Sequence, residues 1–284
     1  MVYYIENFIK KNMQKPDSKK NLLLFLKKHQ IEPKKSLGQN FLIDTNILSK
    51  IISSANLQKN DKILEIGPGP GILTKALLEE NFYVYAIEKD EKFAKILKHE
   101  NLKIIEDDFL NVDLKKFLKE ASQEIKVIAN IPYSISKEIV LKLLKNYKLF
   151  NSITLLVQDE FAKKVTSKNT FLNIFSSIFS NVKYKFMVSK SCFYPEPNVN
   201  SAVLQFTIKD QLDLGNDFDI ENFEIFLKLC FSQKRKMLST ILKKDYDIKT
   251  LQKALLGINK SEKVRAEEMI YVDFLKLFKN LNNL

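Results

Sequence analysis

The chain of 284 residues is poor in the residues that carry metal and hydrolytic chemistry: two cysteines, two histidines and no tryptophan. Cys192 and Cys230 do not form a disulfide framework or a zinc site. His29 and His99 lie far apart, without ligand-like spacing, and read as surface or packing residues. A metal site or a hydrolytic triad is therefore not expected. The missing tryptophan carries no argument. No stretch approaches the roughly 20 apolar residues that a membrane helix needs. The opening MVYYIENFIKKNMQKPDSKK has no apolar core and no small-residue cleavage site, so no secretory signal is read and a cytoplasmic protein is expected. Internal repeats and low-complexity tracts are missing as well.

What the chain has is lysine. With 46 basic against 34 acidic residues the net charge is +12, and only Arg235 and Arg265 among the basic residues are arginine. A balance of this size points to a polyanionic partner, either nucleic acid or an anionic membrane surface. A compositional bias that raises lysine everywhere would give the same excess, so charge alone does not decide. Hydrophobic residues make up 45%, enough for a core in one large domain or in a medium and a small one.

Residues 1–33 read as a lysine-rich helical lead with an apolar cluster at Leu22, Leu23, Phe25 and Leu26, broken at Pro33. Asp44 or Thr45 can then cap a helix through Ile47, Ile51 and Ile52. From Asp61 onward strands and helices alternate. The runs KILEI, VYAIE, KIIED, KVIAN and SITLLVQ read as five strands, ending at Ile66, at Glu88, near Asp107 and Asp108, at Asn130 and at Gln158. Such alternation predicts an α/β fold, a mostly parallel Rossmann-like sheet with helices on both faces. The runs KYKFMVS and SAVLQFTI read as a hairpin-like pair. After a linker at 209–219, Phe223, Phe226, Leu227, Cys230 and Phe231 fall on one helix face, and a small all-helical domain is expected. The expected organisation is a lead at 1–33, an α/β domain at 34–209 and a helical domain at 218–284.

The turn EIGPGPG, residues 65–71, joins the first of these strands to a helix. Glycines there allow a sharp turn and close ligand approach. The spacing of Gly67, Gly69 and Gly71 departs from G-x-G-x-x-G, and the two prolines remove donors that a pyrophosphate would use. A nucleoside cofactor without phosphate, S-adenosylmethionine, fits better than a nicotinamide dinucleotide. Glu88, about 20 residues on, can accept both ribose hydroxyls. Asp108 can accept from the adenine amine of the cofactor. The plainer alternative is that each acid caps the following helix; three strand-end features in order favour the site.

Asn130-Ile131-Pro132-Tyr133 follows the fourth of these strands. An exocyclic adenine amine is a weak nucleophile because its lone pair is delocalised into the ring. The Asn130 oxygen and a backbone carbonyl beside Pro132 can accept its two N–H groups and aim the lone pair at a methyl donor. Pro132 stiffens the turn, and Tyr133 can stack on a flipped-out base. The plainer reading is a helix-capping turn with a packed tyrosine.

These segments, together with KKSLGQNFLID, DDF, QDEFAKKV, FYPEPNVNSAV, FSQKRKMLSTIL and RAEEMIYVDFLKL, resemble the KsgA-type small-subunit rRNA adenine N6-dimethyltransferases, whose relatives include the Erm methyltransferases. The resemblance runs from about Lys34 to the C-terminal region, and its last two segments favour the KsgA branch. It implies that Gln39, Asn40 and Leu42 close over S-adenosylmethionine. Gly67 and Gly69 would contact the cofactor, with Glu88 at its ribose, Asp108 at its adenine and Asn130 at the reacting amine. Phe193 would stack on the target base with Tyr133, in a loop held rigid by Pro195 and Pro197. The implied substrate is a pair of adjacent adenines in the 3′-terminal hairpin loop of small-subunit rRNA. Lys234, Arg235 and Lys236 would contact its phosphates. A monomer without membrane or metal partners is expected. An Erm-like large-subunit enzyme and a non-catalytic assembly factor on the same fold are the alternatives; the latter predicts damage at Asn130, Tyr133, Glu88 or the glycine turn, and none is visible.

Overall fold

The computed structural model describes residues 19–121, 125–212, 214–215, 218–233 and 235–282. Residues 1–18 of the lysine-rich lead and Lys234 lie outside the described residues. The chain divides into two compact units. One holds the described residues up to Ala162 together with Lys183–Thr207; the other holds Lys163–Val182 and the residues from Ile208 onward. No helix of the described residues is long and apolar enough to cross a membrane.

In chain order the elements run α1 (Lys19–Lys28), β1 (Phe41–Leu42), α2 (Thr45–Ser54), β2 (Lys62–Ile66), α3 (Ile72–Glu79) and β3 (Tyr83–Glu88). There follow α4 (Glu91–Ile96), β4 (Leu102–Glu106), α5 (Leu114–Phe117), β5 (Ile125–Asn130), α6 (Ser136–Lys145) and β6 (Phe150–Gln158). Next come α7 (Asp159–Thr166), α8 (Phe171–Phe179), β7 (Ser180–Val188), β8 (Phe193–Tyr194) and β9 (Ser201–Ile208). Last are α9 (Ile220–Cys230), α10 (Leu238–Leu242), α11 (Ile248–Leu256) and α12 (Tyr271–Asn282).

Seven strands form one sheet in the order β4-β3-β2-β5-β6-β9-β7. The pairings from β4 through β6 are parallel, and β9 joins β6 antiparallel. The strands β2, β3, β5 and β6 are buried over nearly their whole length, which requires cover on both faces. The edge strand β7 instead alternates buried or half-buried with exposed residues. After β4 the chain crosses β2 to lay down β5 on its other side. That reversal makes a switch point between β2 and β5, and open parallel sheets bind ligands at the carboxyl ends of strands there. The runs 183–189 and 201–208 do lie side by side, as β7 and β9, although the two-residue β8 intervenes.

Three boundaries depart from the sequence reading. The helix α1 ends before Pro33: Gln30 turns left-handed at φ 53°, and the Ile31 N–H closes on the Leu26 carbonyl at 2.9 Å. Its Leu22 and Leu26 are buried with Ile31, Phe41 and Phe93, whereas Leu23 is exposed. The described part of the lead therefore packs on the first unit rather than standing apart. The strand expected to reach Asp107 stops at Glu106, where the Asp107 N–H turns to the Glu88 carbonyl. Thirdly, α8 belongs to the second unit, although it lies inside the expected α/β span. Its buried side packs on α9 and α12. The core of that unit is aromatic: Phe223 meets Phe278 edge-on at 5.1 Å, and Phe218 meets Phe278 at 5.7 Å.

Candidate cofactor and substrate site

The turn after β2 is shaped by its glycines. Gly67 has φ +66° and its N–H donates to the Ile87 carbonyl at 2.9 Å. A Cβ on Gly69, at φ +54°, would sit 2.9 Å from the Phe41 ring. At Gly69 the Phe41 ring leaves no room for a side chain, whereas at Gly67 it is the left-handed backbone that favours glycine.

One N–H of that turn, that of Gly69, goes to Glu88. The Glu88 carboxyl, 5% exposed, accepts from the Gly69 N–H at 2.8 Å on one oxygen and the Asp90 N–H at 2.7 Å on the other. Burial pushes this carboxyl up, and the two N–H donors pull it back. Each oxygen retains a further lone pair for an incoming hydroxyl. Asp108 is the more open acid. Lys89 reaches it at 2.7 Å and the Leu110 N–H at 2.9 Å, and these bonds hold it below the usual carboxylate range. It is an anionic acceptor across the neutral range.

An arm formed by residues 34–42 covers this ground, and Asp90 anchors it. The Lys34 ammonium lies 2.9 Å from Asp90, and the Gln39 amide donates to the same oxygen at 3.1 Å. Burial alone would raise Asp90, but Lys34 and Gln39 outweigh it and keep its carboxyl low. Asp90 also caps α4 through the Lys92 N–H. The arm ends in β1, which pairs antiparallel with β8: Phe41 opposite Tyr194 and Leu42 opposite Phe193.

Asn130 closes β5. Its amide N–H donates to the Asn40 carbonyl at 2.9 Å. A carbonyl can only accept, so the nitrogen faces Asn40 and the Asn130 oxygen is turned the other way as an acceptor. The Pro132 carbonyl already takes the Ser136 hydroxyl at 3.1 Å and the Ile135 N–H at 3.4 Å. Of the two carbonyls beside the Ile131–Pro132 bond, that of Ile131 is then the better second acceptor. The Tyr133 hydroxyl is tied to the Ser201 hydroxyl at 2.5 Å, which fixes the tilt of its ring.

Gln39, Asn40, Gly67, Gly69, Glu88, Asp108, Asn130, Pro132 and Tyr133 all line one open cleft of about 950 Å³, mouth included, at the carboxyl ends of the parallel strands. Leu42 lines a smaller cavity beside it, with Glu65 and Asn130. Phe193 is placed differently from the sequence reading. It is 3% exposed and lies in the apolar cluster with Leu42, Leu48 and Ile51, because its pairing with Leu42 turns the ring inward. Tyr133, not Phe193, is at the cleft wall. Arg235 and Lys236 are exposed in the turn between α9 and α10, in the second unit.

Several residues escaped the sequence reading. Asp90, Lys89 and Ser201 act through partners distant in sequence. Glu65 is 2% exposed and accepts from the Thr74 hydroxyl at 2.7 Å; burial pushes it up to about 8, with Thr74 pulling the other way. Lys142 did leave a signal: it interrupts the apolar run from Ile139 to Leu144, where a solvated lysine is out of place.

The donor set suits a nucleoside cofactor: paired carboxylate oxygens at Glu88, an anionic acceptor at Asp108 and a glycine turn that admits close approach. Comparison with known proteins agrees. The family described as "Ribosomal RNA adenine dimethylase" matches residues 31–283. The "Ribosomal RNA small subunit methyltransferase A" of Protochlamydia amoebophila is 38% identical over 92% of this chain and 95% of its own length. Among solved structures, a dimethyladenosine transferase from Plasmodium falciparum superposes with TM-score 0.69 at 26% identity, covering 86% of this chain and 98% of its own. The 23S rRNA methyltransferase ErmE shares the fold, with TM-score 0.63 at 24% identity over 85% of this chain and 99% of its own.

Proposed function

The chain belongs to the ribosomal RNA adenine dimethylase family, and from that premise we propose that it methylates N6 of two adjacent adenines in the 3′-terminal hairpin loop of small-subunit rRNA, giving N6,N6-dimethyladenosine. S-adenosylmethionine, when bound, supplies an electrophilic methyl group on a sulfonium. Glu88 accepts the ribose hydroxyls of the cofactor and Asp108 accepts its adenine amine. Gln39 and Asn40 cover it from the arm, and Leu42 backs that cover from the apolar side. Gly67 and Gly69 let the cofactor approach the main chain.

At the reacting end, the Asn130 oxygen and the Ile131 carbonyl accept the two N–H groups of the target amine. Accepting both draws the nitrogen out of conjugation and directs its lone pair. Tyr133 stacks on the base. No strong general base is required, because the amine proton becomes acidic once the methyl has transferred. Positioning supplies most of the rate. Phe193 supports the strand pair under the arm, and a stacking role would require its ring to leave the apolar cluster. The second unit, through Lys234, Arg235 and Lys236, contacts RNA phosphates.

The observation that carries this reading is the fixed amide of Asn130, whose oxygen is left as an acceptor by the Asn40 carbonyl. The small subunit is favoured as substrate by the name shared by the relatives at 37–39% identity. The test is a methylation assay on unmethylated small subunits and, separately, on large-subunit rRNA, with nucleosides read by mass spectrometry. Dimethyladenosine should appear only in small-subunit RNA. Asn130→Ala should lower the rate by about 10²–10³, the usual cost of one preorganised polar group at a reacting centre. Methylation confined to large-subunit rRNA would move the assignment to the Erm branch. RNA binding without transfer to either would favour an assembly factor.

A further inference from the structure

Lys142 stands beside the cleft, and neither the cofactor nor the target adenine needs it directly. It lies on the second turn of α6, the helix that starts directly after the Asn130–Tyr133 turn. Its ammonium donates to three backbone carbonyls: Phe109 at 2.8 Å, Leu110 at 2.9 Å and Val112 at 2.6 Å. An ammonium has three N–H groups, so all are used within one loop. That loop, directly after β4, carries Asp108.

The covalent geometry of the loop links the two residues. The Phe109 carbonyl and the Leu110 N–H belong to one planar peptide unit and point to opposite edges of it. Lys142 takes the carbonyl edge, and the N–H edge donates to the Asp108 carboxylate at 2.9 Å. Fixing one edge fixes the other. The turn closes with the Asn111 N–H on the Asp108 carbonyl at 2.8 Å, so the loop has few remaining ways to rotate. A cation on the carbonyl also polarises the same amide and strengthens what its N–H donates.

We propose that Lys142 is a positioning residue for cofactor selection: through the Phe109–Leu110 peptide it sets the Asp108 carboxylate to accept the adenine amine, and it joins that loop to the helix behind the reacting turn. The proposal rests on the assignment of Asp108 to the cofactor's adenine. Lys142 touches neither cofactor nor RNA in this scheme. Its effect should therefore appear in which base is accepted, and a lysine that merely held the fold together would leave that preference unchanged.

The test is calorimetric titration with two probes, S-adenosylhomocysteine and S-inosylhomocysteine, in which a carbonyl oxygen replaces the adenine amine. The wild-type chain should prefer the adenosine form, because a carboxylate repels the inosine oxygen. Lys142→Met should weaken S-adenosylhomocysteine by about tenfold and narrow the preference. Asp108→Asn should narrow it too, and the double variant should be no worse than Asp108→Asn alone, the signature of residues acting in series. Where Lys142→Met does not fold by circular dichroism, Lys142→Arg carries the same comparison: it keeps the charge, but its planar fork cannot serve three carbonyls from one nitrogen. An unchanged preference in the folded variant, or additive losses in the double variant, would overturn the proposal. A wild-type chain that binds neither probe would overturn the cofactor assignment beneath it, a result distinct from either.

Discussion

Single side chains here are set by what already occupies their partners. Asn130 is an acceptor because its donor end is spent on Asn40, and Glu88 is oriented by two N–H groups that pull against the upward push of burial on its carboxyl. Glu65 shows the effect of burial with fewer donors. Its folded carboxyl is pushed up to about 8 by burial, far above the ordinary 4.5. A raised carboxyl binds its proton more tightly when folded, so its contribution to stability is full below pH 4.5 and is lost as pH rises toward 8. Glu65→Gln should remove that loss. Denaturant melts at pH 5 and pH 8.5 should show the variant gaining on the wild type at the higher pH; an equal difference at both would contradict the assignment. The positions of Glu88 and Asn130 at strand ends were legible in the sequence, because β-strand ends and glycine turns leave local marks. Lys89, Asp90 and Ser201 were not, because each is defined by a partner brought near only by the fold. Phe193 was misplaced for the same reason: its neighbour Leu42 is 151 positions away.

At the scale of elements, the arm over the cleft is a short piece held at a few points. Asp90 carries three duties at once: it caps α4 and receives Lys34 and Gln39. Asp90→Ala should cost about 1 kcal/mol for the cap, seen as a lower melting temperature. Its larger effect should be on cofactor binding, since the arm loses its anchor. Titration with S-adenosylhomocysteine should show a weakened affinity, whereas removal of the comparable cap at Asp44 on α2 should lower stability and leave affinity nearly unchanged. The mostly parallel sheet was readable from the alternation of strands and helices, whereas the spatial order of the strands was not, because apolar runs do not say which strand lies beside which. The pairing of β1 with β8 was not, because two residues on each side give no periodicity. The allegiance of α8 was hidden too: its apolar face says that it is buried, not against which unit.

Over the whole molecule the net charge of +12 favours a polyanionic partner. Binding to small-subunit rRNA should fall steeply with salt, and neutralising Arg235 or Lys236 should each lower the slope of log affinity against log salt by about 1. Filter binding between low and physiological salt measures this; an unchanged slope would remove the turn between α9 and α10 from the RNA surface. The division into two units was partly legible, since the helical pattern after residue 218 stands out, but the second unit also reaches back to take residues 163–182.

The two-residue ladder between Phe41 and Tyr194 also imposes an order in time. A ribosome making this chain lays down Phe41 early and Tyr194 some 150 residues later, a delay of roughly 8 to 30 seconds at about 5–20 residues per second. Late in that interval, once β6 has been made, the glycine turn, Glu88, Asp108 and Asn130 can already stand at the sheet, while the arm waits for the strand that will hold it down. An enzyme that modifies ribosomes thus finishes its own cleft late in synthesis, and a nascent chain halted before Tyr194 would carry the strand-end residues of the site without the ladder that secures its cover.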